Sequence, residues 1–149
     1  MTDTIIALAT PVGESALAVI RISGQISSTI AEQACNCINP NPRNAYLVNY
    51  RSSDGETLDQ VVITFFNKGN SYTGEDSLEI SCHGNPLITE MICKDLINRG
   101  CRMAQPGEFT RQAFLNGKID LPQAESVAQI IAAKNEQSLA LAQRNLKGK

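Results

Sequence analysis

The chain has no block of lysine or arginine, and its formal net charge is −2. Proteins that grip nucleic acid directly usually display a basic patch, because neutralising phosphates supplies most of their affinity. That footprint is missing, so DNA is not an expected partner. Zinc sites want paired Cys and His ligands at short spacing. Here one histidine and five cysteines (Cys35, Cys37, Cys82, Cys93, Cys101) occur with no Cys-x-x-Cys pair, and no metal ligands are assigned. Such thiols read as free cysteines in a reducing compartment. No signal peptide or run of about 20 apolar residues is present, so the expected location is cytoplasmic, with no membrane partner. Repeats and low-complexity tracts are also missing. A phosphate-cradling loop needs G-x-x-x-x-G-K-[ST], but around Asn116-Gly117-Lys118 the deciding places hold Gln112 and Ile119. Asn67-Lys68-Gly69-Asn70 lacks the aspartate of a guanine-reading motif. The chain is therefore expected neither to bind nor to hydrolyse GTP, and no catalytic residue is assigned.

What is present suits an ordinary globular domain: 149 residues, 42% hydrophobic and 19% charged, enough to bury a core. Thr4 to Ala9 reads as a short strand, followed by a loop over Thr10–Ser15 marked by its Pro and Gly. Ala16 to Ser23 is a near-continuous apolar run, the pattern of a strand buried on both faces, interrupted by Arg21. A guanidinium there needs either a protein carboxylate or a ligand. Gln25 to Ile38 keeps a 3.6 period, stopped by Asn39-Pro40 and Pro42. Cys35 and Cys37 then fall on different faces of that helix, as core filling. Ala45 to Arg51 and Leu58 to Phe66 flank Ser53-Asp54-Gly55-Glu56, a hairpin signal. Pro86 to Asn98 predicts a helix with Leu87, Ile88, Met91, Ile92 and Leu96 on one face and Gly100 as its stop. A brief strand over Cys101–Ala104 and a short helix over Glu108–Asn116 follow. From Pro122 to about Lys147 the pattern is helical, about 40 Å if unbroken. Its first half is expected to pack on the domain, its second half to open something beyond it.

The chain is organised around Asn70-Ser-Tyr-Thr-Gly-Glu-Asp-Ser-Leu-Glu-Ile-Ser-Cys-His-Gly-Asn-Pro86. Alternation along a strand sends Leu78, Ile80 and Cys82 to one face and Glu79, Ser81 and His83 to the other. Cys82 and His83 thus diverge, which disfavours a Cys/His nucleophile. Asn85 suits a helix cap and Pro86 a first turn. Glu75, Asp76 and Glu79 offer carboxylates for acid/base or metal chemistry; the plainer reading of Glu75 and Asp76 is that they cap or solvate a loop. Glu79, between two apolar residues, wants a partner: the donor edge of a flat heterocycle, a protein arginine or a backbone turn.

Ser71-Tyr-Thr-Gly-Glu-Asp with Glu79-Ile-Ser-Cys-His-Gly resembles the signature of the TrmE/MnmE family of tRNA-modification GTPases, in its N-terminal domain. Gln105-Pro-Gly-Glu-Phe-Thr-Arg-Gln-Ala-Phe-Leu-Asn-Gly-Lys-Ile-Asp-Leu resembles the same domain, as do Asp3-Thr-Ile-Ile-Ala, Ala9-Thr-Pro and Ile20-Arg-Ile-Ser-Gly near the start. The resemblance implies an α/β fold with a mixed sheet, like the folate-binding fold of the glycine-cleavage T-protein. It implies a folate-binding and homodimerisation domain over 1–121, then the start of a helical domain over 122–149, with the GTPase domain absent. The implied cofactor is 5-formyl-tetrahydrofolate or a related reduced folate, with Arg21, Glu79 and Lys118 as binding residues. GTP, Mg and K belong only to the missing domain. Implied partners are a second copy, a flavoprotein and, through the whole protein, tRNA whose wobble uridine is modified. Two departures stand out: Pro11-Val12-Gly13-Glu14 where the family commonly has Pro-Pro-Gly and a basic residue, and Asn85 where a glycine is usual. Asn tolerates positive φ better than most residues, which suits that exchange. Alternatives are a dimerisation or docking module without a working ligand site, and a small acid/base enzyme using Glu79 and His83.

Overall fold

A computed structural model describes residues 3–148. Met1, Thr2 and Lys149, at the outer ends of the two expected domain ranges, lie outside them. The chain forms an α/β structure with a six-stranded mixed sheet and, among the described residues, five helices. The strands are β1 (Ile5–Leu8), β2 (Ser15–Ser23), β3 (Ala45–Arg51), β4 (Thr57–Phe66), β5 (Ser77–Gly84) and β6 (Arg102–Met103). The helices are α1 (Ser27–Cys35), α2 (Pro86–Asn98), α3 (Glu108–Leu115), α4 (Leu121–Ala132) and α5 (Glu136–Leu146). Two compact units result. One holds the described residues through Ser71 together with Glu75–Gln105; the other holds Tyr72–Gly74 and the residues from Pro106 onward.

The first unit contains the whole sheet, in the order β3-β4-β5-β2-β1-β6. All neighbours are antiparallel except β1 and β6, which run parallel. The hairpin forms where Asp54-Gly55 predicts it: Gly55 adopts φ 87° and Ser52 N–H donates to Glu56 O at 2.8 Å. Register aligns apolar side chains in rows across the strands. Ile63, Ile80 and Ile20 form one row; Phe65, Leu78, Ile22 and Ile6 form another. These residues are buried with Ile30, Ala31 and Ala34 of α1 and Ile92 and Leu96 of α2 in a single core. Their opposite neighbours, Val19, Arg21, Glu79 and Ser81, are only half-buried. Strand β2 is therefore buried on one face rather than on two as its composition suggests. Both helices of this unit contribute to the core on one side of the sheet, so an apolar run need not mean two covered faces.

Two helices differ from their patterns. Helix α1 ends at Cys35, three residues short of Ile38, because Asn36 turns left-handed at φ 51° and Cys37 N–H donates back to Ala31 O at 2.9 Å. Cys35 is buried, while Cys37 lies beyond the helix and is half-buried. Helix α2 has its expected bounds, with the Asn85 side chain accepting from Leu87 N–H at 2.8 Å and Pro86 in the first turn. Asn85 sits at φ −109°, so this position makes no demand for a left-handed residue. The buried stripe of α2 is Thr89, Ile92, Asp95 and Leu96; Leu87 and Met91 are exposed.

In the second unit α4 packs between α3 and α5. The helical pattern from Pro122 onward is not one rod. Ala133 is extended at ψ 132°, and the Asn135 side chain caps a new helix by accepting from Ser138 N–H at 2.8 Å. Asp120 and Gln123 form a reciprocal capping box at the start of α4. Gln123 Nε2 also donates to Leu146 O at 2.8 Å, tying the start of α4 to the end of α5. Among the described residues, no helix is long and apolar enough to cross a membrane.

Candidate functional site

On the half-buried face of the sheet, Arg21 on β2 stands directly across from Glu79 on β5. Glu79 is in turn paired in register with Thr64 on β4, and Arg21 with Ala7 on β1. Arg21 Nε donates to Glu79 Oε2 at 3.1 Å, and a terminal guanidinium nitrogen reaches the same oxygen at 3.1 Å. Both side chains keep about a third of their surface exposed, at 35% and 33%. Two residues that the sequence flags separately as charges in need of partners are thus brought together. An ion pair this exposed contributes only about 0.2–1 kcal/mol, so stability alone gives weak grounds for placing it here. The guanidinium fork closes on a single carboxylate oxygen, Oε2.

Glu75 and Asp76 serve the loop, as capping residues. Ser23 Oγ donates to Glu75 Oε1 at 3.1 Å, and Asp76 Oδ1 accepts from Lys68 N–H at 2.7 Å. The Asp76 carbonyl accepts from Ser27 Oγ at 3.1 Å and from Gly24 N–H at 2.9 Å. Ser23 and Ser27 are fully buried and anchor this segment on the ends of β2 and α1.

Cys82 and His83 diverge as strand alternation requires. Cys82 is buried and faces Ala18 O, and burial first, then the nearby Asp59 carboxylate, pushes its thiol up to about 11. His83 is exposed, and its Nδ1 lies 2.8 Å from Asp59 Oδ1, while its backbone N–H donates to Asp59 Oδ2 at 2.9 Å. Glu79 and His83, four residues apart on one strand, are separated by roughly 13 Å of backbone rise. Each has a different protein partner, which does not build a shared acid/base site.

Lys118 belongs to the second unit and follows α3 on a tight turn. Lys118 N–H donates to Ala113 O at 2.9 Å, and Gly117 adopts φ 72°. The turn is held against the Tyr72–Gly74 segment. Asn116 Nδ2 donates to Thr73 O at 2.8 Å, and the Tyr72 and Thr110 hydroxyls are 2.9 Å apart. The same unit carries an apolar groove of about 530 Å³ lined by Phe114, Leu121, Val127 and Ile131, among others. That groove includes none of Arg21, Glu79 and Lys118, and an apolar trough alone names no ligand.

Three polar anchors join residues that no motif in the sequence links. Asp59 holds His83, Ser23 holds Glu75, and Asp95 joins Tyr50, Ser53 and Arg99. Only the last left a local trace, the i, i+4 spacing of Asp95 and Arg99 within a helical pattern.

A family model described as "GTP-binding protein TrmE N-terminus" matches residues 4–118 of this chain. The chain is 51% identical over 148 residues to the "tRNA modification GTPase MnmE" of Opitutus terrae, covering 99% of this chain and 32% of that protein. It is 47% identical over 150 residues to the protein of the same name from Pseudothermotoga lettingae, covering 100% of this chain and 33% of that protein. With the Thermotoga maritima protein of that name it shares 44% identity over 146 residues, 98% of this chain and 32% of the relative. The chain therefore spans about a third of the length of the curated relatives it matches.

Proposed function

This chain belongs to the family of the TrmE N-terminus, and from that premise we propose that it is the folate-binding and dimerisation module of a tRNA-modification GTPase. Its ligand is 5-formyl-tetrahydrofolate or a related reduced folate, with Arg21, Glu79 and Lys118 as contact residues. The proposed domain spans 1–121 and resembles the glycine-cleavage T-protein fold, with 122–149 opening a helical domain. The whole protein, working with a flavoprotein partner in the cytoplasm, would act on the wobble uridine of tRNA. GTP, Mg and K would serve the GTPase domain alone.

The observation that carries the ligand reading is the Arg21–Glu79 pair on the half-buried face of the sheet. A carboxylate suits the amino and ring N–H donors of a pterin edge, and guanidinium and ammonium groups suit carboxylates and carbonyls. Self-association is supported by β3, a seven-residue strand at the sheet edge with Leu47 67% exposed. Such an edge offers unpaired backbone groups and an apolar side chain to a second copy.

A titration calorimeter tests the ligand. Wild type should bind 5-formyl-tetrahydrofolate, and Glu79→Gln should bind it roughly ten- to a hundredfold more weakly, the cost of a charge-assisted contact. The same affinity in a folded Glu79→Gln variant removes Glu79 from the site. The ion pair also favours a second reading, a dimerisation module without a working ligand site, because Arg21 already provides Glu79 with a partner. Absence of heat with any reduced folate, together with a dimer mass by light scattering, would select that second reading.

A further inference from the structure

We propose that Asn116 and Gly74 are positioning residues for Lys118, fixing where its ammonium meets the ligand; this rests on the folate reading above. Lys118 has a long, flexible stem whose rotamer freedom costs up to about 2 kcal/mol to freeze. A lysine that reads one ligand group gains if the fold freezes that stem beforehand. The second unit contains such a device. Gly74 adopts φ 83°, and a Cβ placed there would stand 3.2 Å from Lys118 Cγ, 3.6 Å from its Cδ and 3.0 Å from Asn116 Cβ. The missing side chain is therefore the surface on which the lysine stem lies. Asn116 Nδ2 donates to Thr73 O at 2.8 Å, clamping the turn that carries Lys118 to the backbone just before Gly74. The Tyr72–Thr110 hydroxyl contact at 2.9 Å holds the same crossing nearly two turns earlier, on α3. Neither Asn116 nor Gly74 needs to touch the ligand for this.

A double-mutant cycle in this chain tests the idea, with 5-formyl-tetrahydrofolate as the probe and thermal melts as the folding control. Lys118→Ala should weaken binding at least tenfold. Asn116→Ala and Gly74→Ala should each weaken it about fivefold, the worth of one neutral hydrogen bond or of a displaced stem. In the Lys118→Ala background neither should weaken it further, since there is no stem left to place. A purely structural role predicts losses that persist in that background, and such additivity overturns the proposal. So does normal binding by folded Asn116→Ala and Gly74→Ala when Lys118→Ala binds weakly; Lys118 then keeps its role without these supports. Unchanged affinity in Lys118→Ala instead refutes the contact role of Lys118, and the positioning role falls with it. No binding by wild type overturns the folate reading and this inference together. If one single variant fails to melt cooperatively, the other carries the same cycle.

Discussion

Replacing Asp95 by asparagine should destabilise the first unit far more than the exchange of one oxygen for an NH2 suggests. Asp95 is 5% exposed, and its carboxylate collects four donors. Oδ2 accepts from the Tyr50 hydroxyl at 2.6 Å and from Arg99 Nε at 2.7 Å. Oδ1 accepts from Ser53 N–H at 2.8 Å and Ser53 Oγ at 3.3 Å. Arg99 also donates to Arg51 O at 2.9 Å, so the cluster fastens the β3–β4 hairpin to the end of α2. An asparagine amide has one accepting oxygen. Whichever place its NH2 takes, it faces a donor that cannot reverse, the backbone N–H of Ser53 or the guanidinium of Arg99. One lost charge-assisted bond plus one orphaned donor amounts to about 3 kcal/mol. That corresponds to roughly 10 °C in Tm for a chain of this size. Tyr50→Phe, which removes one donor and leaves the carboxylate in place, should cost about 1 kcal/mol. Urea unfolding followed by far-ultraviolet circular dichroism reads both. The pH dependence adds a sign. Burial alone would raise the Asp95 carboxyl, but the hydrogen bonds from Tyr50, Arg99 and Ser53 outweigh it and hold the group below its usual value. A lowered folded pKa stabilises above the unfolded value near 4, and that stability is lost as pH falls through the folded value. The gap between wild type and Asp95→Asn should therefore narrow in acid. An asparagine variant as stable as wild type at pH 7, with an unchanged m-value, would refute the reasoning.

Thiol reactivity should separate the cysteines. Burial pushes Cys35 up to about 12 and Cys101 up to about 11, alongside Cys82, so in the folded chain at pH 8 iodoacetamide should label Cys37 well before those three. Mass mapping that finds Cys82 labelled as fast as Cys37 contradicts this. Gly84→Ala should cost about 2 kcal/mol, because an added Cβ would run into the main chain of Ser15 where β2 shifts register. Equal urea midpoints for the two proteins would show that the strands do not approach so closely.

Features set by neighbours in the chain were legible in the sequence. The inward set Leu78, Ile80 and Cys82, the Asp54-Gly55 hairpin and the Asn85-Pro86 start of α2 each follow from side-chain alternation, a left-handed turn or a cap within a few residues. The family blocks carrying Arg21, Glu79 and Lys118 were legible for the same reason, being short runs of fixed order. Packing decided the rest. Whether β2 was covered on one face or two depended on where α1 and α2 lie, which no periodicity within β2 records. The break between α4 and α5 turned on Ala133 going extended and Asn135 capping, a choice that the apolar pattern on either side masks. That Arg21 answers Glu79, 58 residues away, depended on strand register. The same holds for Asp95 and Ser53, joined across 42 residues. Local rules fix which way a side chain leaves its own strand or helix; only the folded sheet and helices decide what it meets there.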